Sequence, residues 1–233
     1  MPQPLGLLRV FKIENDMKFT IVARRIGIFS AVVTIVLLIA YTVTLSIGLL
    51  SLPSPDQPIS NPMFTIMELL IIVMMPVIVA LMVAVYAWTP SPVKVLSFIA
   101  VIFMGLLAVV TSSLHFVILT TSRQTAFAEQ PWLPLLFEFK WPSVAYSLDI
   151  LGWDFFFPLS MLFAAPVFHG SRLALCIRWT MIVSGVLALA GLIGVVLGNM
   201  QFRNIGIVGY VGVFLIVSLL LAIFFYRESP QEA

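Results

Sequence analysis

Six continuous apolar runs constrain this chain more than any other feature. They cover residues 26–50, 63–88, 93–121, 143–168, 173–197 and 204–226. The hydrocarbon core of a bilayer is about 30 Å thick, which an α-helix crosses in about 20 residues. In hydrocarbon a helix satisfies its own backbone hydrogen bonds, so unbroken runs of this length are the signature of spanning helices. Composition agrees. The chain is 61% hydrophobic and only 9% charged, against about 25% charged for soluble domains. It cannot cover itself with polar surface in water. The expected fold is all-α: a polytopic transmembrane bundle of six helices whose first partner is the lipid bilayer.

Proline-rich breaks separate the runs. SLPSPDQPISNP divides the first from the second, and WTPSP the second from the third. SRQTAFAEQPWLPLLFEFKWP precedes the fourth. Each carries residues that end helices or begin turns. With the N-terminus inside, nine of the 12 basic residues fall on the cytoplasmic side; only Arg123, Lys140 and Arg203 fall outside. The positive-inside rule therefore places both termini in the cytoplasm and the protein in the cell's inner (plasma) membrane. Residues 1–25 form a basic cytoplasmic segment, 26–226 the membrane domain and 227–233 a cytoplasmic tail. The first run exceeds the roughly 7–15 residues of a signal peptide's apolar core, so it is expected to be retained. The segment LGLLRVFKIENDMKF before it reads either as an amphipathic surface helix or as a loosely ordered basic tail.

The basic residues sit at helix ends, where topology rather than an acidic partner explains them. No basic face with polar or aromatic readers exists, so nucleic acid is excluded. The single cysteine, Cys176, allows no intrachain disulfide and no Cys-based metal site. His115 and His169 fall on opposite sides of the membrane, which excludes a zinc cage or a haem held by two histidines. No cofactor is expected.

Small residues mark the last two helices. Ser184, Ala188, Gly191 and Gly198 share a face of the fifth, which also carries Gly194-x-x-x-Gly198. The sixth carries Gly206, Gly209 and Gly212. Small residues let backbones approach closely in lipid, so these helices are expected to pack tightly. The same glycines leave an oligomer through helices five and six open.

Four acidic or histidine residues lie inside the runs, away from their cytoplasmic ends: Glu68, His115, Asp149 and Asp154. At 1.5 Å per residue all four fall in the outer half, and none falls in the inner half away from the ends. An acid near a helix centre costs about 2.5–3.5 kcal/mol on insertion scales, so such groups face a bundle interior or a wet cavity and find partners. The expected partners are His115 with Asp149 or Glu68, and Arg123 with the acid nearest the surface. Tyr146, Asp149 and Trp153 share one helix face, at i, i+3 and i+7. Asp154 lies about 140° around the helix from Asp149, so the two acids make no dyad of their own. Pro158 removes the hydrogen-bond donor to the Asp154 carbonyl and clashes with it, which predicts a kink at Asp154. Pro76 similarly frees the carbonyl of Ile72. The candidate pocket is therefore Asp154, Asp149, His115, Glu68, Tyr146 and Trp153, with no metal.

Plainer readings stand beside this one. Thr65-x-x-Glu68 fits a capping box, which would occupy Glu68 at a helix start. His115 and Asp149 suit hydrogen bonds that only fix helix packing. Asp154 resists such a reading, because of its depth and the proline that follows. The aromatic connector 122–142 is too apolar for a solvated loop and too broken to span. It is expected in the outer interface, either partly covering the polar cluster or serving only as an anchor.

Catalytic signatures are missing: no phosphate loop, no HExxH, no Gly-x-Ser-x-Gly turn, and only Ser143 as a weak rhomboid-like serine. No lysine lies mid-span, which excludes a retinal Schiff base. The stretches VARRIGIFSAVVTIV and LDILGWDFFFPLSMLFAAPVF resemble six-span bacterial integral membrane protein families whose domains carry no assigned function. That resemblance implies the layout of most of the chain and transfers no catalytic or ligand residue. Three functions fit: binding or translocation of a proton, ion or small solute at the outer pocket; an accessory or sensory subunit whose polar groups fix packing; and an intramembrane lipid-modifying enzyme with His115 and an aspartate as acid and base.

Overall fold

A computed structural model describes residues 19–54, 57, 59–127 and 130–229. Six helices are long and apolar enough to cross a membrane: Ile21–Leu50, Met63–Trp88, Ser91–Arg123, Val144–Val167, Arg172–Val196 and Asn204–Arg227. No strand occurs among the described residues. The helix limits match the apolar runs within two residues, except that the first helix starts at Ile21. Thr20 caps that start, its hydroxyl accepting from the Ala23 amide. Most of the segment read as a surface helix or basic tail lies outside the described residues.

Consecutive helices pack side by side around a ring, and the first closes it against the sixth. This closure is uneven. The first helix packs on Phe214–Arg227, the half of the sixth nearest the chain termini. Gly27 makes that approach possible: a Cβ there would lie 2.7 Å from the Phe225 ring. Arg24 adds a cap, donating from Nε to Phe225 O at 2.9 Å and from Nη2 to the Tyr226 carbonyl. These carbonyls lie in the last turn of the sixth helix, where no intrahelical donor remains. The bundle thus has a near end, where the first helix begins and the sixth ends, and a far end.

The near half is dry. Trp88 stacks on Phe168 at 5.2 Å and meets Phe224 edge-on at 4.8 Å. Met74, Met75, Ile78, Leu81 and Met161 fill the layer above these rings, each almost completely buried. Lipid is as apolar as these side chains, so their contribution is van der Waals contact rather than escape from water.

Helices five and six pack closely, as the small residues foretold. Ser184 donates to Gly209 O at 2.9 Å. A Cβ on Gly209 would lie 2.7 Å from Ser184 O and 2.8 Å from Ala188 N. The glycines Gly191, Gly194, Gly206 and Gly209 all face contacts within the chain.

Two spans contain a wider, π-helical turn. Leu151–Phe156 of the fourth and Val208–Val213 of the sixth form π-helical turns. In the fourth, the Phe157 amide donates to Gly152 O, five residues back. The irregularity falls where Pro158 foretells it, but it takes a different form. The expected kink at Asp154 is a widened turn, and the helix runs on through Phe157–Ala164. Widening the turn accommodates a missing donor without breaking the rod. The second helix runs continuously past Pro76.

Candidate functional site

The site begins with the start of the fourth helix. Ser143 caps it, accepting from the Tyr146 amide at 3.0 Å and donating to Glu138 O at 2.6 Å. The serine considered as a weak nucleophile is therefore occupied in structure. From this fixed start the 3.6-residue winding turns Tyr146, Asp149 and Trp153 to one side, where all three line the same cavity. Asp154 follows inside the π-turn and is completely buried.

A residue outside the expected set joins the two acids. Arg203, just before the sixth helix, is buried. Its Nη2 donates to Asp149 Oδ2 at 2.5 Å and its Nε to Asp154 Oδ2 at 3.1 Å. The guanidinium also lies over the Tyr146 ring, 4.5 Å from its centre. Local backbone chemistry puts Arg203 there. The fifth helix ends in a Schellman turn: Gly198 takes φ +65, its amide bonds Val195 O, and the Asn199 amide bonds Gly194 O at 2.9 Å. The chain then folds back over Gly194, whose missing side chain admits the Arg203 backbone. A Cβ there would lie 2.7 Å from Arg203 N. Burial works against a charge on Arg203, but the facing carboxylates of Asp149 and Asp154 outweigh it and hold the guanidinium above its ordinary value. It is a fixed cation.

The other Asp154 oxygen, Oδ1, is buried without a hydrogen-bond partner. It presses against Gly191 of the fifth helix and Gly206 of the sixth, in the space that a Cβ on either would fill. The small residues of these helices therefore do two things: they let the backbones meet, and they make room for an acid from a third helix.

His115 links the pair to a third carboxylate. Its Nδ1 lies 2.7 Å from Glu68 Oε2 and its Nε2 lies 3.8 Å from Asp149 Oδ1. The first is a hydrogen bond; the second is an ion-pair distance, too long for one. Both ring nitrogens thus face carboxylates, and only the doubly protonated ring can donate to both sides. Phe139 of the connector sits 5.9 Å from the imidazole and 5.3 Å from the Tyr146 ring. The result is one connected line, Glu68–His115–Asp149–Arg203–Asp154, drawn from the second, third and fourth helices and the turn before the sixth.

Three members of this line, Glu68, Asp149 and Arg203, border a cavity of about 280 Å³, while His115 and Asp154 do not line it. Tyr41, Leu45 and Leu49 of the first helix face it, with Met67 and Ile71 beside Glu68. Ile207, Tyr210 and Val211 of the sixth helix close the opposite side. Leu52, Gln57 and Ile59 from the first connector reach its far end.

The four expected ionisable residues therefore meet, and Tyr146 and Trp153 stand beside them. Some expected roles change. Arg123 pairs with none of the four; its Nη2 donates to Thr65 Oγ1 at 2.7 Å, among exposed groups. Glu68 does not cap its helix. Thr65 lies beyond the first helical residue, Met63, and donates to Asn61 Oδ1, which leaves Glu68 for His115. The connector covers the cluster through Phe139, while Trp132 and Leu135 remain exposed. Arg203, Tyr41 and Tyr210 were not in the expected set. The signal for Arg203 was its place as an isolated cation directly after a Gly-x-x-x-Gly turn; the tyrosines gave no signal apart from facing the cluster's depth. No known protein family, curated protein or solved structure matches the chain.

Proposed function

We propose that this chain is a multi-pass protein of the inner (plasma) membrane, with both termini cytoplasmic, that binds a small solute or ion together with a proton in its outer half. Translocation through the bundle is the activity this binding serves. Under this orientation the far end faces outside the cell, and the cavity is outward-facing.

The charge balance carries the reading. Three buried carboxylates, Glu68, Asp149 and Asp154, stand against one fixed cation, Arg203. Two negative charges remain. One proton on His115, which lies between two of the carboxylates, leaves a single excess negative charge. An uncompensated charge in so dry a place is costly. Neutrality is reached when a second proton or a cationic group enters the cavity. Tyr41, Tyr146 and Tyr210 are the remaining titratable groups that face it. Two π-helical turns at the same place support the reading, since such turns concentrate at working sites.

Proteoliposomes holding a trapped pH-sensitive dye test this. After an external acid step, vesicles with the wild-type protein should acidify faster than empty ones. Asp149→Asn and His115→Gln, each shown to be folded by its circular dichroism and elution profile, should return the rate to that of empty vesicles. Equal rates in all four samples would overturn translocation. A single cysteine at Gln124→Cys or Gly170→Cys, in a Cys176→Ser background, tests orientation. An impermeant maleimide applied outside cells should label the first and not the second.

A second reading has one observation in its favour. Arg203 is already saturated by two carboxylates, as it would be in an accessory subunit whose polar groups only lock helices together. Unchanged flux with large losses of stability in both variants is the outcome that selects it.

A further inference from the structure

The uneven closure of the helix ring gives the cavity a second feature. The first and sixth helices pack on each other through the near half of the sixth. In the far half the cavity lies between them: Leu45 and Leu49 face it from one side, Ile207 and Val211 from the other. Leu49 and Val208 are exposed at this level, where a bilayer would present acyl chains. A slot between two spanning helices at this depth admits molecules sideways from the outer leaflet as well as from water.

The interior of the slot has a definite chemistry. Its deep wall holds Glu68, Asp149 and Arg203, the members of the charged line that reach the cavity. Around this wall stand the rings of Tyr41, Tyr146, Trp153 and Tyr210, with Phe64 and Phe139 toward the far end. Aromatic faces attract cations through the ring quadrupole, and one cation already uses this cavity in that way, since Arg203 lies over Tyr146. The Tyr41 and Tyr210 hydroxyls have no hydrogen-bond partner among the described residues. Apart from Gln57 of the first connector, the other residues facing the cavity are aliphatic or methionine. An anion would meet the carboxylates of Glu68 and Asp149 and a guanidinium already engaged on two sides. A neutral apolar molecule would leave the excess charge uncompensated.

We infer that the ligand of this site is an amphiphilic cation: an ammonium head that enters the aromatic and acidic wall, on an apolar tail that leaves through the slot between the first and sixth helices into the outer leaflet. The inference rests on the proposed outward-facing binding function and names the class of molecule bound. The volume suits it. About 280 Å³ lies just under the roughly 300 Å³ at which closed ligand pockets begin. That is room for a trimethylammonium head and a few methylenes, with the remaining chain outside.

Four probes separate the alternatives in protein held in lipid nanodiscs. Decyltrimethylammonium carries both head and tail. Decanol has the tail without the charge, decyl sulfate has the opposite charge, and tetramethylammonium has the head alone. Binding is read as quenching of the cavity tryptophan, Trp153, with Trp153→Phe as the blank, and as a rise in melting temperature. Decyltrimethylammonium should act at concentrations at least tenfold below each of the others. Leu45→Trp, which fills the slot at a site open to lipid, should weaken it at least tenfold; Val211→Trp is the second plug should the first not fold. Decyl sulfate or decanol binding as well as decyltrimethylammonium overturns the cationic head. Tetramethylammonium binding equally well, or indifference to both plugs, overturns the tail and the slot. If no probe binds while proton flux persists, the amphiphile is wrong and the proposed function stands. If no probe binds and no flux occurs, both fail.

Discussion

Replacing Arg203 by methionine tests whether the site is one electrostatic unit. The substitution keeps much of the apolar stem and removes the charge. Arg203 contacts Asp149 at 2.5 Å and Asp154 at 3.1 Å, with all three residues buried. At an effective dielectric of about 20, each pair attracts by roughly 5 kcal/mol before desolvation is subtracted. Removing one partner of a buried pair typically costs about 3–5 kcal/mol, because the remaining charge is stranded. Arg203→Met strands two, so its cost belongs at the upper end of that range. The double variant Asp149→Asn/Asp154→Asn strands the guanidinium instead and should cost about as much. Joining all three substitutions leaves no stranded charge from this group. Replacement of a whole buried ionic cluster is often nearly neutral, so the triple variant should recover to within about 1–2 kcal/mol of the wild type. The measurement is unfolding in mixed micelles, followed by circular dichroism as denaturing detergent is titrated in. A cost below about 1 kcal/mol for Arg203→Met would refute the reasoning. So would simple additivity, since coupled groups must deviate from it.

Two further sets of substitutions probe the framework in the same unfolding measurement. Gly191→Ala and Gly206→Ala each drive a Cβ into Asp154 Oδ1 and should cost about 1–3 kcal/mol, as overpacking does, whereas Gly212→Ala, which meets nothing within 4 Å, should be neutral or gain up to about 1 kcal/mol of helix propensity; equal effects at all three positions would show that Asp154 is not held there. Arg24→Ala removes the cap on the Phe225 and Tyr226 carbonyls and should cost about 1.5–3 kcal/mol, the worth of hydrogen bonds from a charged donor, with Arg24→Lys restoring only part of it because an ammonium cannot reproduce the fork.

The helices were legible because the bilayer imposes one length and one backbone solution on every span. A run such as residues 63–88 has no other way to satisfy its amides in hydrocarbon, and it forms a helix with those limits. The meeting of Glu68, His115, Asp149 and Asp154 was legible for a related reason. Depth follows from residue count, and a polar group at depth must find a partner. What depth does not give is angle. Counting residues cannot say which way a side chain points around a helix whose neighbours are unknown, so the tyrosines Tyr41 and Tyr210 stayed hidden. Arg203 was missed for a different cause. Its number placed it outside the last span, with the loops, and nothing in a loop assignment says that the loop folds inward. The turn at Gly198 and the gap above Gly194 decide that, and both were read only as helix-packing signals. Arg123, equally close to a helix end, had no such turn behind it, and its side chain stays among exposed groups.

The irregular features of the fold also fall together in space, which bears on what they are for. A spanning helix gains nothing in lipid from a widened turn. Yet the two π-turns, Leu151–Phe156 and Val208–Val213, meet where Trp153 packs on Tyr210 at 5.2 Å. Gly191 and Gly206 open space for Asp154 at the same place. The near half, built from the same kinds of helices, has regular winding around Met75, Ile78 and Leu81 and is plugged by Trp88 and Phe224. Were the buried charges only a lock between helices, a single Arg–Asp pair on straight α-helices would serve, at a smaller desolvation cost. Three carboxylates, an imidazole and an unpaired Asp154 oxygen exceed that need, and Glu68, Asp149 and Arg203 of this group border the open part of the bundle rather than its dense part. Packing alone leaves this excess unexplained, whereas the proposed exchange of a proton or a cation with the cavity beside it would use it.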